Sequence, residues 1–194
     1  MQFSKSGYHG RMRIFIPAVA RDLVAASLSA RRVHTVTPAL AAMFAGEDPE
    51  VLDAVAMNAA ADDSLRLLAQ YVADGRTPVY RRLVIAADVP AAEVAAEPHA
   101  ELPTAMRTLH AVPWDAVVSM HVDDSDAEAD VAAAAAGDDA AFERATDADL
   151  MWYDVAERHD LGIALAGARV LRDAASQMSA LPGEVVDSAD EPSA

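Results

Sequence analysis

The chain has 194 residues, with 31 acidic and 15 basic side chains, a formal charge of −16 and no cysteine. Its length suits one domain with a sizeable core, and the missing thiols exclude disulfides, thiolate zinc sites, iron–sulfur clusters and cysteine nucleophiles. The acidity sets most of the surface against nucleic-acid phosphates, and no apolar stretch approaches the ~20 residues of a membrane span.

Residues 1–11 include Lys5 and Arg11 but no long apolar region, which argues against a secretory signal and for a cytoplasmic location. They read as a leader of little structure, and the fold is expected to start at Met12. Residues 13–16 form a first strand, with Ile14 and Ile16 on one side and Arg13 and Phe15 on the other. Pro17 is expected to end it, since proline donates nothing to a ladder. Leu23, Val24, Ser27 and Leu28 share a face at helical spacing, so a helix is expected over 20–30. A short strand over 33–36 follows.

Thr37-Pro38 is a helix start, with threonine as N-cap and proline in the first turn, and Gly46 stops that helix early. Asp48-Pro49-Glu50 repeats the signal. The helix it opens carries an apolar stripe through Val51, Leu52, Val55, Ala59, Leu65, Leu68 and Val72, and ends at Asp74-Gly75. Residues 79–87 read as a central strand, apolar on both faces. Residues 91–113 read as an irregular connection. A second strong strand spans 115–122, with Val118, Met120 and Val122 on one face and Val117, Ser119 and His121 on the other. The acidic run from Asp123 leads into an alanine-rich helix that Gly137 breaks, and residues 138–145 add a further turn or two. Residues 150–153 form a short strand or an aromatic anchor. A weak helix is expected towards 178, and the acidic residues 181–194 are expected to be disordered.

Alternation of strands and helices points to an α/β or α+β fold: a single domain with a mixed β-sheet of about four to five strands packed with helices. The domain is expected over 12–158, with a C-terminal helix over 159–180. No glycine-rich phosphate loop and no nucleophile elbow is present.

Two constellations invite chemistry. His121 and Asp123 lie two apart on a strand and project to one face. With Asp124 beside them and Asp88 at the end of the other strong strand, they could hold a divalent metal or polarise a water. Against this, an aspartate after a strand commonly caps the next helix, and a metal site needs three or more converging ligands. An EF-hand is excluded, because counting from Asp123 or Asp124 puts no glycine at position six and no glutamate at position twelve. The second constellation is His34, Thr35 and Thr37 at a helix N-terminus, a set that could hold an anion. Arg31 and Arg32 just before it favour an acidic ligand or an acidic segment of the same chain. Trp114 and Trp152 read as packing anchors. Ser64, inside a helical stripe, is a poor place for a nucleophile.

Taken together, MRIFIPAVARDL (12–23), VTPAL (36–40), DPEVLDAVAMNAAADDSLRLLA (48–69), RRLVIAADVP (81–90), VVSMHVDD (117–124) and DLMWYDVAE (149–157) resemble DUF6912, a family of small actinobacterial proteins of unknown function. The resemblance spans about 12–158. It implies one cytoplasmic domain and carries over no activity and no catalytic residue.

The residues favour a non-catalytic binding or regulatory domain. The alternatives are a small metal- or water-assisted enzyme using the strand-end His/Asp cluster, and an acidic module for protein–protein interaction. No resident cofactor or metal is implied. A membrane is not an expected partner and nucleic acid is disfavoured, which leaves a protein partner open.

Overall fold

The computed structural model describes residues 10–179. The expected acidic tail, and all but the end of the expected leader, lie outside the described residues. The strands are β1 (Arg11–Ala18), β2 (Ser27–Leu28), β3 (Arg32–His34), β4 (Leu83–Pro90), β5 (Val94–Ala96), β6 (Ala105–Thr108), β7 (Val112–Pro113), β8 (Val117–Asp123) and β9 (Leu150–Asp154). The helices are α1 (Pro38–Met43), α2 (Pro49–Ala73), α3 (Glu128–Ala135), α4 (Asp139–Asp147) and α5 (Arg158–Ser179).

Seven strands form one sheet in the order β5-β6-β3-β1-β4-β8-β9, and β2 and β7 form a second, two-stranded sheet. Every pairing is antiparallel. The fold is therefore α+β, with more strands than the four to five expected and without the expected mixture of directions. The extra strands β5, β6 and β7 lie in the segment read as irregular. They are two to four residues long, too short for a period-two pattern to stand out.

The sheet is buried on both faces. On one, Phe15, Val84 and Ala86 meet Ala56, Ala60 and Ala61 of α2. Alanine at these helix positions lets α2 lie close on the strands. On the other, Ile14, Ile16, Ile85, Met120 and Val122 pack with Leu23, with Leu28 and Val112 of the small sheet, and with Leu161 and Leu165 of α5. Helices α3 and α4 extend the α2 layer, where Val131, Ala135 and Ala141 join Leu65 and Leu68.

Both capped helix starts are present. The Thr37 hydroxyl accepts from the Leu40 N–H, and the Asp48 carboxylate accepts from the Glu50 N–H. Elsewhere tertiary structure overrides local pattern. Pro17 lies inside β1, opposite Val84 of β4. In a strand the N–H and C=O of one residue point the same way, and the Pro17 carbonyl accepts from the Arg31 guanidinium at 3.2 Å. The missing N–H thus faces the side where β3 supplies only one partner to β1. The helix expected over 20–30 is only a 3-10 turn, Ala20–Val24, followed by β2. The register of β4 against β8 skips Val118, which flips Val117 onto the core face and leaves Val118 40% exposed, the reverse of strict alternation. Trp152 is 59% exposed and anchors no core.

Among the described residues the largest fully buried side chain is charged. Arg82, 1% exposed, meets Asp123, also 1% exposed, through contacts from Nε at 3.0 Å and Nη2 at 2.7 Å to Oδ1. The Arg82 N–H donates to Oδ2 at 2.6 Å, and Nη2 also reaches the Ala148 carbonyl at 2.9 Å. Asp123→Asn is expected to destabilise the fold by about 3–5 kcal/mol, because it strands a buried guanidinium. The double variant Arg82→Met/Asp123→Leu is expected to recover part of that loss. Urea unfolding at neutral pH checks both.

Candidate functional site

The fold gives each residue of the two sequence constellations a partner within the chain. His34 is fully buried on β3, with Nε2 2.9 Å from Asp63 Oδ2 and Nδ1 2.8 Å from Thr104 Oγ1. Thr35 donates to the Arg13 carbonyl at 2.6 Å. The Thr37 hydroxyl caps α1 and also bonds the Pro103 carbonyl. Burial works to raise the Asp63 pKa, but hydrogen bonds from His34 and Arg66, with their charge, outweigh it and hold the carboxyl below the ordinary range. Above this pair a cleft of 350 Å³ is bordered by Arg31, Arg32, Arg66 and Arg107. Their partners are acids of the same chain. Arg31 meets Asp22 at 2.9 Å, Arg66 meets Asp63 at 2.8 Å, and Arg107 meets Glu97 at 2.8 Å. Arg32 lies 3.8 Å from both Asp63 and Glu97.

The strand-end residues separate. Asp88 is gripped by Arg13, Nε to Oδ1 at 2.6 Å and Nη2 to Oδ2 at 3.2 Å, and that bond lowers its pKa against the effect of burial. Asp123 is consumed by Arg82. Asp124 is exposed and accepts from the Ser125 hydroxyl and the Asp126 N–H. His121 lies half-buried with Nε2 3.0 Å from Ser119 Oγ, and burial and the Arg13 charge lower its pKa. It faces a groove of 380 Å³ shared with Glu50, Asp53, Met57 and Trp152. Burial raises the Asp53 pKa there, with Arg13 opposing. Among the described residues no three His, Asp or Glu side chains gather as a metal site.

A larger hollow of 540 Å³ escaped the sequence reading. It lies between the 3-10 turn, the C-terminal end of α2 and α5. Val19, Val24, Pro78, Val79, Gly162 and Ala166 give it apolar walls, and Arg21, Arg76 and Arg169 border it with no acid in the lining. The guanidinium carbons of Arg21 and Arg76 lie 5.4 and 3.8 Å from the Tyr71 ring centroid. Arg76 meets Asp74 at 2.8 Å, whereas among the described residues Arg21 and Arg169 meet no carboxylate. Gly162 lies against Leu23 and Val24 of the 3-10 turn, at a distance where an added Cβ would make ordinary contact, 3.6 Å from Leu23 Cβ and Val24 Cγ1. Val24, 70% exposed, is an apolar side chain with a vacant surface beside it.

The sequence matches a family of unknown function, DUF6912, over residues 12–161. The chain belongs to that family. No curated protein and no solved structure matches it. Within the DUF6912 span fall the His34–Asp63 pair, the His121 groove and three sides of the hollow, while Gly162, Ala166 and Arg169 follow it. Sequence reading missed the hollow because its lining comes from four separated segments with no shared motif. The available signal was the arginine–aromatic content around 71–80.

Asp63 makes a pH dependence of stability. Its folded pKa lies below the ordinary value, so its contribution is full above about pH 5 and is lost as pH falls through ~3.9 towards the folded value. Asp63→Asn is expected to cost about 1–3 kcal/mol at pH 7 and to flatten the stability profile below about pH 5. Thermal unfolding between neutral and acid pH checks this.

Proposed function

We propose that this DUF6912 member is a non-catalytic binding domain whose ligand is an organic anion with an apolar body, seated in the hollow between the 3-10 turn, α2 and α5. One observation carries the reading: two arginines without a carboxylate partner among the described residues converge on one apolar hollow. The chain as a whole is short of positive charge, at −16, and most other arginines of the described part are spent on its own acids. Uncompensated cations beside apolar walls recognise a ligand with both characters. The volume falls within the range of small-molecule sites.

The same lining supports the binding reading over a catalytic one. Acid–base chemistry near neutral pH needs a group that titrates there. The hollow offers arginines, Tyr71 and Thr77, and neither His nor carboxylate. Tyr71 supplies a ring face, and the three guanidinia supply donors for a carboxylate or phosphate.

Decanoate tests the reading by isothermal titration against the full chain. It is expected to bind, with decanol weaker and inorganic phosphate giving no heat at this site. Arg21→Ala or Arg169→Ala is expected to weaken decanoate about tenfold or more, as loss of a charge-assisted bond does. Ala166→Trp, at an exposed position, is expected to fill the hollow and abolish binding without unfolding the chain. Equal affinity for decanol and decanoate, or binding untouched by these variants, overturns the reading.

A further inference from the structure

The two edges of the large sheet differ. At one, β5 has three residues and Pro98 follows shortly after it. At the other, β9 has five residues, Leu150-Met151-Trp152-Tyr153-Asp154, and pairs only with β8 among the described residues. Proteins guard such an edge with lysine, proline, a bulge or a covering loop, because its unpaired N–H and C=O groups recruit another strand. The sequence of β9 contains no lysine or proline, and its ladder with β8 runs without a register shift. Met151 is 48% and Trp152 59% exposed, on opposite faces. An open backbone edge and exposed large side chains thus coincide.

The surroundings select the occupant. Asp147 and Asp149 precede β9, are exposed, and form no ion pair among the described residues. Asp154 ends it and Glu157 follows, and the two cap the next turn. On the α2 side, Trp152 shares its groove with Glu50 and Asp53, and the one cation of that groove, Arg13, is held by Asp88. A second copy of this chain is a poor fit. Antiparallel pairing of two β9 strands brings Asp147 and Asp149 of one towards Asp154 and Glu157 of the other, and facing like charges destabilise a ladder.

We infer that β9 is a docking edge that accepts an extended, basic segment of a partner protein as an eighth strand, with a cationic side chain over Trp152 in the groove shared with Glu50 and Asp53. Backbone hydrogen bonds supply affinity in this mode, and alternate side chains supply selectivity. An arginine or lysine on the α2 side finds the Trp152 ring and two carboxylates. The apolar residues between face Met151 on the opposite side.

The probe is a synthetic nonapeptide alternating valine with arginine, set against the same peptide with glutamate for arginine and against an arginine peptide N-methylated at alternate amides. The arginine peptide is expected to slow hydrogen exchange of the β9 amides at saturation by about tenfold or more. The glutamate and N-methylated peptides are expected to give no protection. Trp152→Ala, at an exposed position and therefore folded, is expected to weaken binding about tenfold. Binding of the N-methylated peptide with equal affinity would reduce the effect to bulk charge and overturn the inference. Protection confined to other elements would also overturn it. So would a concentration-dependent dimer of the chain alone that Trp152→Ala abolishes, since that assigns the edge to a second copy.

Discussion

Arg82 and Asp123 fix the end of the sheet at which most of the fold is decided. Arg82 stands immediately before β4 and Asp123 ends β8, so their side chains lock the register that pairs Leu83 with Val122. Two buried charges are unfavourable in isolation, and only close, saturated geometry offsets their desolvation. Here the carboxylate receives the Arg82 side chain and backbone N–H, while its own peptide unit is bonded by Arg81 Nη1 and by the Arg82 carbonyl. The spare guanidinium donor reaches Ala148, two residues before β9. The same pair therefore sets where the outer strand begins. It also commits Asp123 to the sheet, since both carboxylate oxygens accept from Arg82 in a site only 1% exposed.

The helix layer is fastened to this end by polar groups set among alanines. Ser64 of α2 donates to the Ala18 carbonyl at 2.7 Å and accepts from the Leu83 N–H at 2.9 Å. It thus bridges the last residue of β1 and the first of β4. One residue earlier, Asp63 holds His34 of β3. Two adjacent side chains on one helical turn tie α2 to three strands. Alanine packing alone lets a helix slide, because small side chains interlock weakly. The buried hydrogen bonds give it one position, since any shift leaves a buried donor unmade.

What could be read from sequence follows from how local each determinant is. The starts of α1 and α2 were legible because Thr37-Pro38 and Asp48-Pro49 cap within their own turn. Strands β4 and β8 were legible as apolar runs, though not their ends, because Arg82 looks like a surface residue until Asp123 is opposite. The 3-10 turn after β1 was misread as a helix. Leu23 and Leu28 are both buried, as a helical face predicts, but they reach the core from a turn and a two-residue strand. The site residues His34, Asp88, His121, Asp123 and Asp124 were legible as polar groups at element ends. Asp124 finds Ser125 and Asp126 next to it in the chain, but the partners of the other four, Asp63, Arg13, Ser119 and Arg82, were not legible, because three of those pairings join separate elements and the fourth, Ser119 with His121, follows only once the strand is formed. Nor could the hollow be foreseen, since α5 and the 3-10 turn, far apart in the chain, meet only in the folded molecule, where Leu161 and Leu165 pack with Leu23.

The charge pattern then makes sense at the level of α2. Glu50 and Asp53 stand in its first two turns, where the helix dipole favours anions, and Arg76 lies just beyond its C-terminal end, where it favours cations. The acidic groove and the cationic hollow thus sit at opposite ends of one helix. Asp53 and Tyr71 are about 27 Å apart along it at 1.5 Å per residue. That exceeds by about threefold the ~8 Å over which charge is screened at physiological salt. The two surfaces therefore do not neutralise each other through space, and a chain of charge −16 can keep a local positive site without losing it to its own acidity. A net charge describes how such a molecule meets solvent. Where it can accept a charge of either sign is set by a few side chains, here Arg21 and Arg169 on one side and Glu50 and Asp53 on the other, which the described part of the fold leaves without an ion-pair partner.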